Sequence, residues 1–445
     1  FIISLSAAAV QFAKLFTEYK SIKGCVFSIL ILLCASFCLA IGADKQLMRY
    51  VQTVKWTKLL PKEAFAGSFQ TAQAEYLYGV YHNQWVILRE GSAIEAIPDQ
   101  ATAGRIAAIG LCQNPQAKRI LVVGSGLGLC QTLLKLPQVE HITWAHPDSE
   151  YVRQVNNIIP AQFKITDKRL DCLAGDIRSA IAGKKQYYDI AVINLPDATS
   201  SVLNRYYTLE FYRQIKDSLN PAGLLQVRVT GGENIMGTEL INLGASVKLT
   251  LQKVFQKLVL TPGDDTWFIA SDSNSLTGTP GTLRDRFASI KNSGNIFVPD
   301  ALLSIYLPDR TTIALDNYNS SDLPQNLLIN RDSRPLTNLY SLLLTAKQSG
   351  APATKFIKNL TISGLSVFII PIAVFILLRL IYILKSPAQG GKSGFDSSFL
   401  VFSTGWAGIG VVIVLMYLYQ TRFGSLYVHI GIISSLFMAG LAVGG

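Results

Sequence analysis

The chain has 445 residues, 49% of them hydrophobic and 16% charged, with a net charge of +11 and a mean hydropathy of +0.31. That balance is too apolar for an ordinary water-soluble enzyme, and the scattered Lys and Arg residues, with no basic stripe of interleaved aromatics, exclude a nucleic-acid reading. Four histidines and six cysteines are too dispersed for metal-ligand spacing or a disulfide framework, so no metal is expected.

In chain order, residues 1–13 read as the tail of an apolar span. Residues 24–43, 359–378, 397–421 and 423–445 each lack Asp, Glu, Lys and Arg, and each is long enough for a hydrocarbon core of about 30 Å. Transmembrane helices are therefore expected over 1–43, 359–384, 397–421 and 423–445, the first and last truncated, in an internal piece of a longer polytopic protein. The basic connector 44–64 reads either as an amphipathic helix on a membrane surface or as a solvated linker. From 65 to 98 short alternating segments, with turns at Gly79 and near Gly91, predict antiparallel strands in a small β-rich subdomain over 65–115. A short helix is expected over 104–112.

The run 118–128, KRILVVGSGLG, is the most informative stretch. Ile120, Leu121, Val122 and Val123 form the continuous apolar run of a parallel strand covered on both faces. Gly124, Gly126 and Gly128 lack the Cβ atoms that would bar a ligand or a neighbouring helix from the backbone. By themselves the glycines read equally as a cradle for a nucleotide and as a ligand-free strand-to-helix turn.

A helix over 129–136 follows, then strands at 141–148, 169–176, 188–197 and 224–230 alternating with helices at 149–159, 177–183 and 209–219. The last of these helices is closed by Asn220, Pro221, Ala222 and Gly223, and a late helix at 247–255 precedes a final strand pair. This alternation predicts a doubly wound α/β domain over 116–346, with a largely parallel sheet between two helix layers. Ligands of such sheets sit at the carboxyl ends of the strands. Gly124, Gly126, Gly128, His146, Asp148, Asp176, Asn194 and Asp197 all fall there.

Further motifs narrow the reading: Tyr78-Gly79, Ile97-Pro98-Asp99, Gly175-Asp176, a strand ending in NLPD at 194–197, NRYYTLEFY at 204–212, NRDSRP at 330–335 and FMAG at 437–440. Together with the glycine loop they resemble the spermidine synthase family, of class I methyltransferase-type Rossmann-like fold, in its membrane-fused branch. The resemblance implies that Gly124, Gly126 and Gly128 cradle S-adenosylmethionine or its decarboxylated form. The acidic residue that would hold the ribose hydroxyls is replaced by His146, with Asp148 two residues on. Asp176 matches the residue that bonds the adenine amino group, and equally reads as the N-cap of the 177–183 helix.

The resemblance also implies a carboxylate at the end of the fourth strand to deprotonate the attacking amine. That place holds Asn194, and an amide is no general base. Asp197 matches the second carboxylate of the loop and reads otherwise as a turn-stabilising residue. The His-Glu pair expected before the glycine strand is absent, and Leu127 stands where soluble synthases carry an acid. Tyr206, Tyr207 and Glu210 are pocket residues or packing residues, and Arg331, Asp332 and Arg334 are candidates for an ion pair closing the domain.

The expectation is an integral protein of a prokaryotic inner membrane, its soluble domain leaning to the cytoplasmic side. In it a spermidine synthase-like domain has lost aminopropyl transfer and serves as a scaffold or binding module. Its expected partners are membrane lipid and either other membrane proteins or a second copy. The alternative is a membrane-anchored transferase that uses S-adenosylmethionine or decarboxylated S-adenosylmethionine on an amine or other small nucleophile.

Overall fold

The computed structural model describes residues 43–71, 73–89, 91–173, 175–232, 235–349, 366–385 and 394–423. The chain divides into two compact units, Phe1–Phe69 with Glu75–Ala93, and Gln70–Ala74 with Ile94–Gly445.

The first unit carries helix α1 (Ala43–Thr57) and strands β1 (Phe65–Gln70), β2 (Glu75–Tyr81) and β3 (Gln84–Arg89). β2 and β3 pair antiparallel with Tyr81 opposite Gln84. His82 and Asn83, both at positive φ, make the two-residue turn that matches the twist of the hairpin. Tyr76 and Leu77 of β2 and Trp85 to Leu88 of β3 are buried, and Phe69 stacks on Tyr76 at 4.8 Å. Gly79 is required by close approach, since a Cβ there would lie 1.9 Å from the Ala64 carbonyl oxygen. Strand β4 (Ser92–Ile97) follows.

The second unit begins its helices with α2 (Gln100–Leu111), capped by the Asp99 carboxylate, which accepts from the Thr102 amide. In sequence this helix was expected to close the β-rich subdomain. It belongs instead to the second unit, because Ile106, Ile109 and Leu111 are buried there. Next come β5 (Arg119–Gly124), α3 (Leu127–Leu133), β6 (His141–Ala145), α4 (Ser149–Ile158), β7 (Leu170–Leu173) and α5 (Ile177–Ala182). They are followed by β8 (Tyr188–Asn194), α6 (Ser201–Asn204), α7 (Leu209–Ser218), β9 (Leu219–Thr230), α8 (Thr238–Gln252), β10 (Lys257–Thr261) and β11 (Asp265–Ser271).

The seven strands lie in the order β10-β11-β9-β8-β5-β6-β7. β7, β6, β5, β8 and β9 are parallel, while β11 runs antiparallel to both β9 and β10. This is the Rossmann-like, methyltransferase-type α/β architecture. The order reverses between β5 and β8, so the crevice at their carboxyl ends is the switch point where such sheets place their sites. Gly124 and Asn194 are cross-strand partners there.

One boundary differs from expectation. Residues 220–223, read as a stop after α7, lie within β9: Tyr188 pairs with Leu219 and Ile190 with Leu224, so these four residues bulge opposite Asp189. The bulge is pinned by Asn220, whose amide donates to Asp189 Oδ1 at 2.6 Å.

The remaining helices are α9 (Pro280–Ala288), α10 (Ala301–Ile305), α11 (Pro308–Asn319), α12 (Leu336–Gln348), α13 (Ser366–Lys385) and α14 (Gly394–Phe423). α8 and α12 pack with α11 and α7 over one face of the sheet, around Leu243, Val247, Tyr318 and Tyr340. Of the expected spans, residues 1–42, 359–365 and 424–445 lie outside the described residues, as does the FMAG motif. The rest of two spans forms α13 and α14, on which Ile369, Ile376, Trp406 and Val411 are exposed. Among the described residues, no helix is long and apolar enough to cross a membrane.

Candidate functional site

The switch-point crevice is bounded by the glycine loop, and two of its three glycines have a neighbour that accounts for them. Gly124 takes φ +99°, and a Cβ there would lie 2.3 Å from the Asn194 carbonyl oxygen. At Gly126 a Cβ would lie 2.7 Å from both Trp144 Nε1 and Val122 Cγ1. Trp144, fully buried on β6, donates its indole N–H to the Gly124 carbonyl at 2.9 Å. Gly128 is looser, with the Ala96 carbonyl oxygen 3.5 Å from the Cβ position.

The amides at the start of α3 are claimed by a residue not singled out in the sequence. Glu95, on β4 and 7% exposed, places Oε1 2.6 Å from the Gly126 nitrogen and 3.2 Å from the Leu127 nitrogen, accepting from both. Burial is the strongest influence on this carboxyl and pushes it up to about 7, against the opposing pull of the Leu127, Gly126 and Gly128 amides. The signal available in sequence was an acid in register with Ile97 on the buried side of an alternating strand.

Asn194 lies at the end of β8, where the resemblance expects the base. Its Nδ2 donates to the Ser125 carbonyl at 2.6 Å, and its own carbonyl accepts from the Ser125 amide at 3.0 Å. The side chain thus ties one strand end to the glycine loop. Asp197 accepts from the Thr230 amide at 2.9 Å through Oδ1, and its carbonyl accepts from the Thr199 amide, which is a turn-holding geometry.

At the end of β6, His146 is buried, accepts the Asp148 amide at Nδ1 and stacks on Tyr151 at 4.2 Å. Asp148, 2% exposed, caps α4 by accepting from the Glu150 amide and receives the Thr71 hydroxyl on its other oxygen. The neighbouring Gln73 donates to the Pro147 carbonyl at 2.9 Å.

Asp176 caps α5: Oδ2 accepts from the Ser179 amide and hydroxyl, while Oδ1 accepts from the buried Arg205 guanidinium at 3.0 Å. Burial alone would raise its pKa, but the Ser179 hydrogen bonds and Arg205 hold it below the usual carboxylate range. The cap is made, and both oxygens are engaged.

Beside it, Arg178 makes a two-pronged ion pair with Asp332, at 2.7 and 2.8 Å, and donates to the Thr208 hydroxyl. The Asp332 amide donates to Glu210. Asp332 therefore pairs across the fold with α5 rather than with its neighbours Arg331 and Arg334. Asn330, fully buried, donates to Asn204 Oδ1 and to the Tyr207 carbonyl. Tyr206 and Tyr207 are also buried; the Tyr207 hydroxyl lies 3.0 Å from the Pro196 carbonyl, to which it donates, and Tyr206 meets Phe211 edge-on at 5.3 Å. The NRYYTLEFY and NRDSRP motifs are thus sewn to each other. Among the described residues, no group of three or more His, Cys, Asp or Glu side chains is placed to hold a metal ion.

Residues 100–271 match the family model of the spermine/spermidine synthase domain. Over 142 residues the chain is 30% identical to polyamine aminopropyltransferase 2 of Hyperthermus butylicus, covering 31% of this chain and 45% of that protein. Over 119 residues it is 27% identical to polyamine aminopropyltransferase 2 of Ralstonia nicotianae, covering 26% of this chain and 23% of that one. The match thus spans less than half the length of either relative. Among solved structures it is similar to a spermidine synthase in complex with the transition-state analogue AdoDATO, with TM-score 0.47, 16% identity, 57% of this chain and 88% of that chain covered.

Proposed function

We propose that the chain, which carries a spermidine synthase-like domain, has given up aminopropyl transfer and uses that domain as a scaffold or binding module held at a membrane. The observation that carries this reading is Asn194. Transfer to an amine requires that the amine lose a proton, and the side chain at the expected place is an amide whose N–H is spent on the Ser125 carbonyl. Asp197, the remaining carboxylate of that loop, accepts from the Thr230 amide.

The residues present do not fit an adenosyl group in the way the resemblance implies. The Gly126 and Leu127 amides serve Glu95, Asp148 serves Thr71 and a helix cap, and Asp176 serves Arg205 and Ser179. Rearranging the Glu95 and Asp148 bonds for a ligand leaves buried polar groups unpaired at about 1–3 kcal/mol each, and drawing the exposed Asp176 to an adenine amino group takes it from the buried Arg205.

Support for the membrane comes from the charge-free stretches of the sequence, 24–43 and 423–445, and from the exposed apolar faces of α13 and α14, neither of which is by itself long and apolar enough to cross. These two helices are apolar around most of their circumference, with Ile372, Phe375, Ile409 and Leu415 exposed, and such helices are normally hidden in a protein core or in lipid. Membrane lipid, together with other membrane proteins or a second copy, supplies that cover in this reading. A prokaryotic inner membrane with the domain on its cytoplasmic face completes the proposal, on the sequence alone.

The test is calorimetric titration of the full chain in detergent with S-adenosylmethionine and, separately, with its decarboxylated form. No heat of binding is expected with either compound. Saturable binding of one of them at micromolar strength would overturn the scaffold reading in favour of a membrane-anchored transferase.

A further inference from the structure

Helix α1 has two faces that ask for different partners. One is satisfied within its own unit: Gln52 and Trp56 are buried, Gln52 donates to Glu75 at 2.9 Å, and the Trp56 indole donates to the Pro61 carbonyl at 2.9 Å with its ring 5.6 Å from that of Phe65. At about 100° per residue, Leu47, Tyr50, Val51 and Val54 fall together on the opposite side. All four are exposed, Leu47 by 64% and Tyr50 by 67%. A water-facing helix normally puts charge on that side.

The charge around this stripe has one sign. Lys45, Arg49, Lys55, Lys58 and Lys62 are all exposed, and against them residues 43–64 hold two acids, Asp44 and Glu63. By the same angle Lys45 and Arg49 fall on the Trp56 side, and Lys55 is shared with Glu75. Lys58, just past the helix end, continues on the side of the stripe. The basic surplus therefore belongs to the segment as a whole, within about 10 Å of the stripe. Residues 24–43, which contain no charged side chain, run directly into the helix.

We infer that α1 lies in the headgroup layer of an anionic lipid membrane, with Leu47, Tyr50, Val51 and Val54 turned into the acyl boundary, Lys58 meeting lipid phosphate and the net positive charge of the segment drawing it to the surface. An apolar face of this kind binds in proportion to its buried area, and flanking cations add attraction to anionic lipid. The face toward Trp56 stays on the protein, so the helix serves as a plate between the first unit's sheet and the bilayer. This inference rests on the membrane reading above and adds to it the lipid class and the contacting surface.

The test reconstitutes the full chain into phosphatidylcholine vesicles with or without about 30% phosphatidylglycerol, doped with a photoactivatable phospholipid, and maps labelled peptides by mass spectrometry. Labelling of the 43–60 peptide is expected in the anionic vesicles, falling severalfold in pure phosphatidylcholine and in the Leu47→Asp, Val51→Asp variant. These substitutions leave the Gln52 and Trp56 face untouched. Labelled α13 and α14 peptides with an unlabelled 43–60 peptide would overturn the inference and spare the membrane reading, whereas no labelled peptide at all would sink both. Equal labelling in neutral and anionic vesicles would overturn the anionic assignment, and a crosslink from this face to a second chain in place of lipid would overturn the lipid assignment.

Discussion

Substitution of Glu95 by Gln separates the two things this side chain does. The amide oxygen of Gln can still accept from Gly126 and Leu127, but the side chain no longer ionises. In the folded chain burial pushes the Glu95 carboxyl up to about 7 from an ordinary value of 4.5. Between those two pH values the folded state holds a proton that the unfolded state has released, so the contribution of Glu95 to stability is complete below about 4.5 and is lost as pH rises through about 7. At about 1.4 kcal/mol per pH unit, the loss comes to about 3 kcal/mol. Other groups titrate in the same window, so the quantity to measure is the difference between the two proteins. Denaturant unfolding of the full chain in detergent, followed by tryptophan fluorescence from pH 4.5 to 8.5, should show the natural chain losing up to about 3 kcal/mol relative to Glu95→Gln. Parallel pH profiles would refute the reasoning, for they would mean that Glu95 is solvated or ionised throughout.

Asn194→Asp sets a carboxylate oxygen against the Ser125 carbonyl in place of a hydrogen bond. It should lower stability by about 2 kcal/mol in the same unfolding assay, and should yield no aminopropyl transfer from decarboxylated S-adenosylmethionine to putrescine. Gly126→Ala drives a methyl into Trp144 and Val122 and should cost about 1–3 kcal/mol as overpacking, with no ligand needed to see it. A stability unchanged within error would show that the loop yields more easily than its contacts imply.

How much of this was legible before the fold was known depends on the range of the interaction. Strand β5, the alternation that follows it and the switch point come from local apolar pattern and glycine placement, and they lie where the sequence put them. The assignment of α2 to the β-rich subdomain failed because nothing within 100–111 says which surface its apolar face will meet. Residues 220–223 look like a stop in any short window; only the pairing of Tyr188 with Leu219 and Ile190 with Leu224 turns them into a bulge. In the crevice, residue types were readable but their commitments were not. That Asn194 cannot act as a base follows from its identity, whereas its bond to Ser125 spans 69 positions and that of Glu95 to Gly126 spans 31. The glycines left two readings open because much of what crowds them, Trp144 at Gly126 and the Asn194 carbonyl at Gly124, comes from other strands.

The stitching of residues 330–335 onto α5, α6 and α7 bears on how this chain is made. The region that matches the synthase domain ends at residue 271, yet Asn204 and Arg178 find their partners at Asn330 and Asp332. As the polypeptide leaves the ribosome, Arg178 is synthesised more than 150 positions before the carboxylate that neutralises it, and until then it has no reason to leave water. The recognisable domain and the smallest piece able to close its own interior are therefore different lengths of chain. A fragment cut at the edge of the homology would expose the face of α8 that α12 covers, together with the guanidinium that Asp332 was to receive.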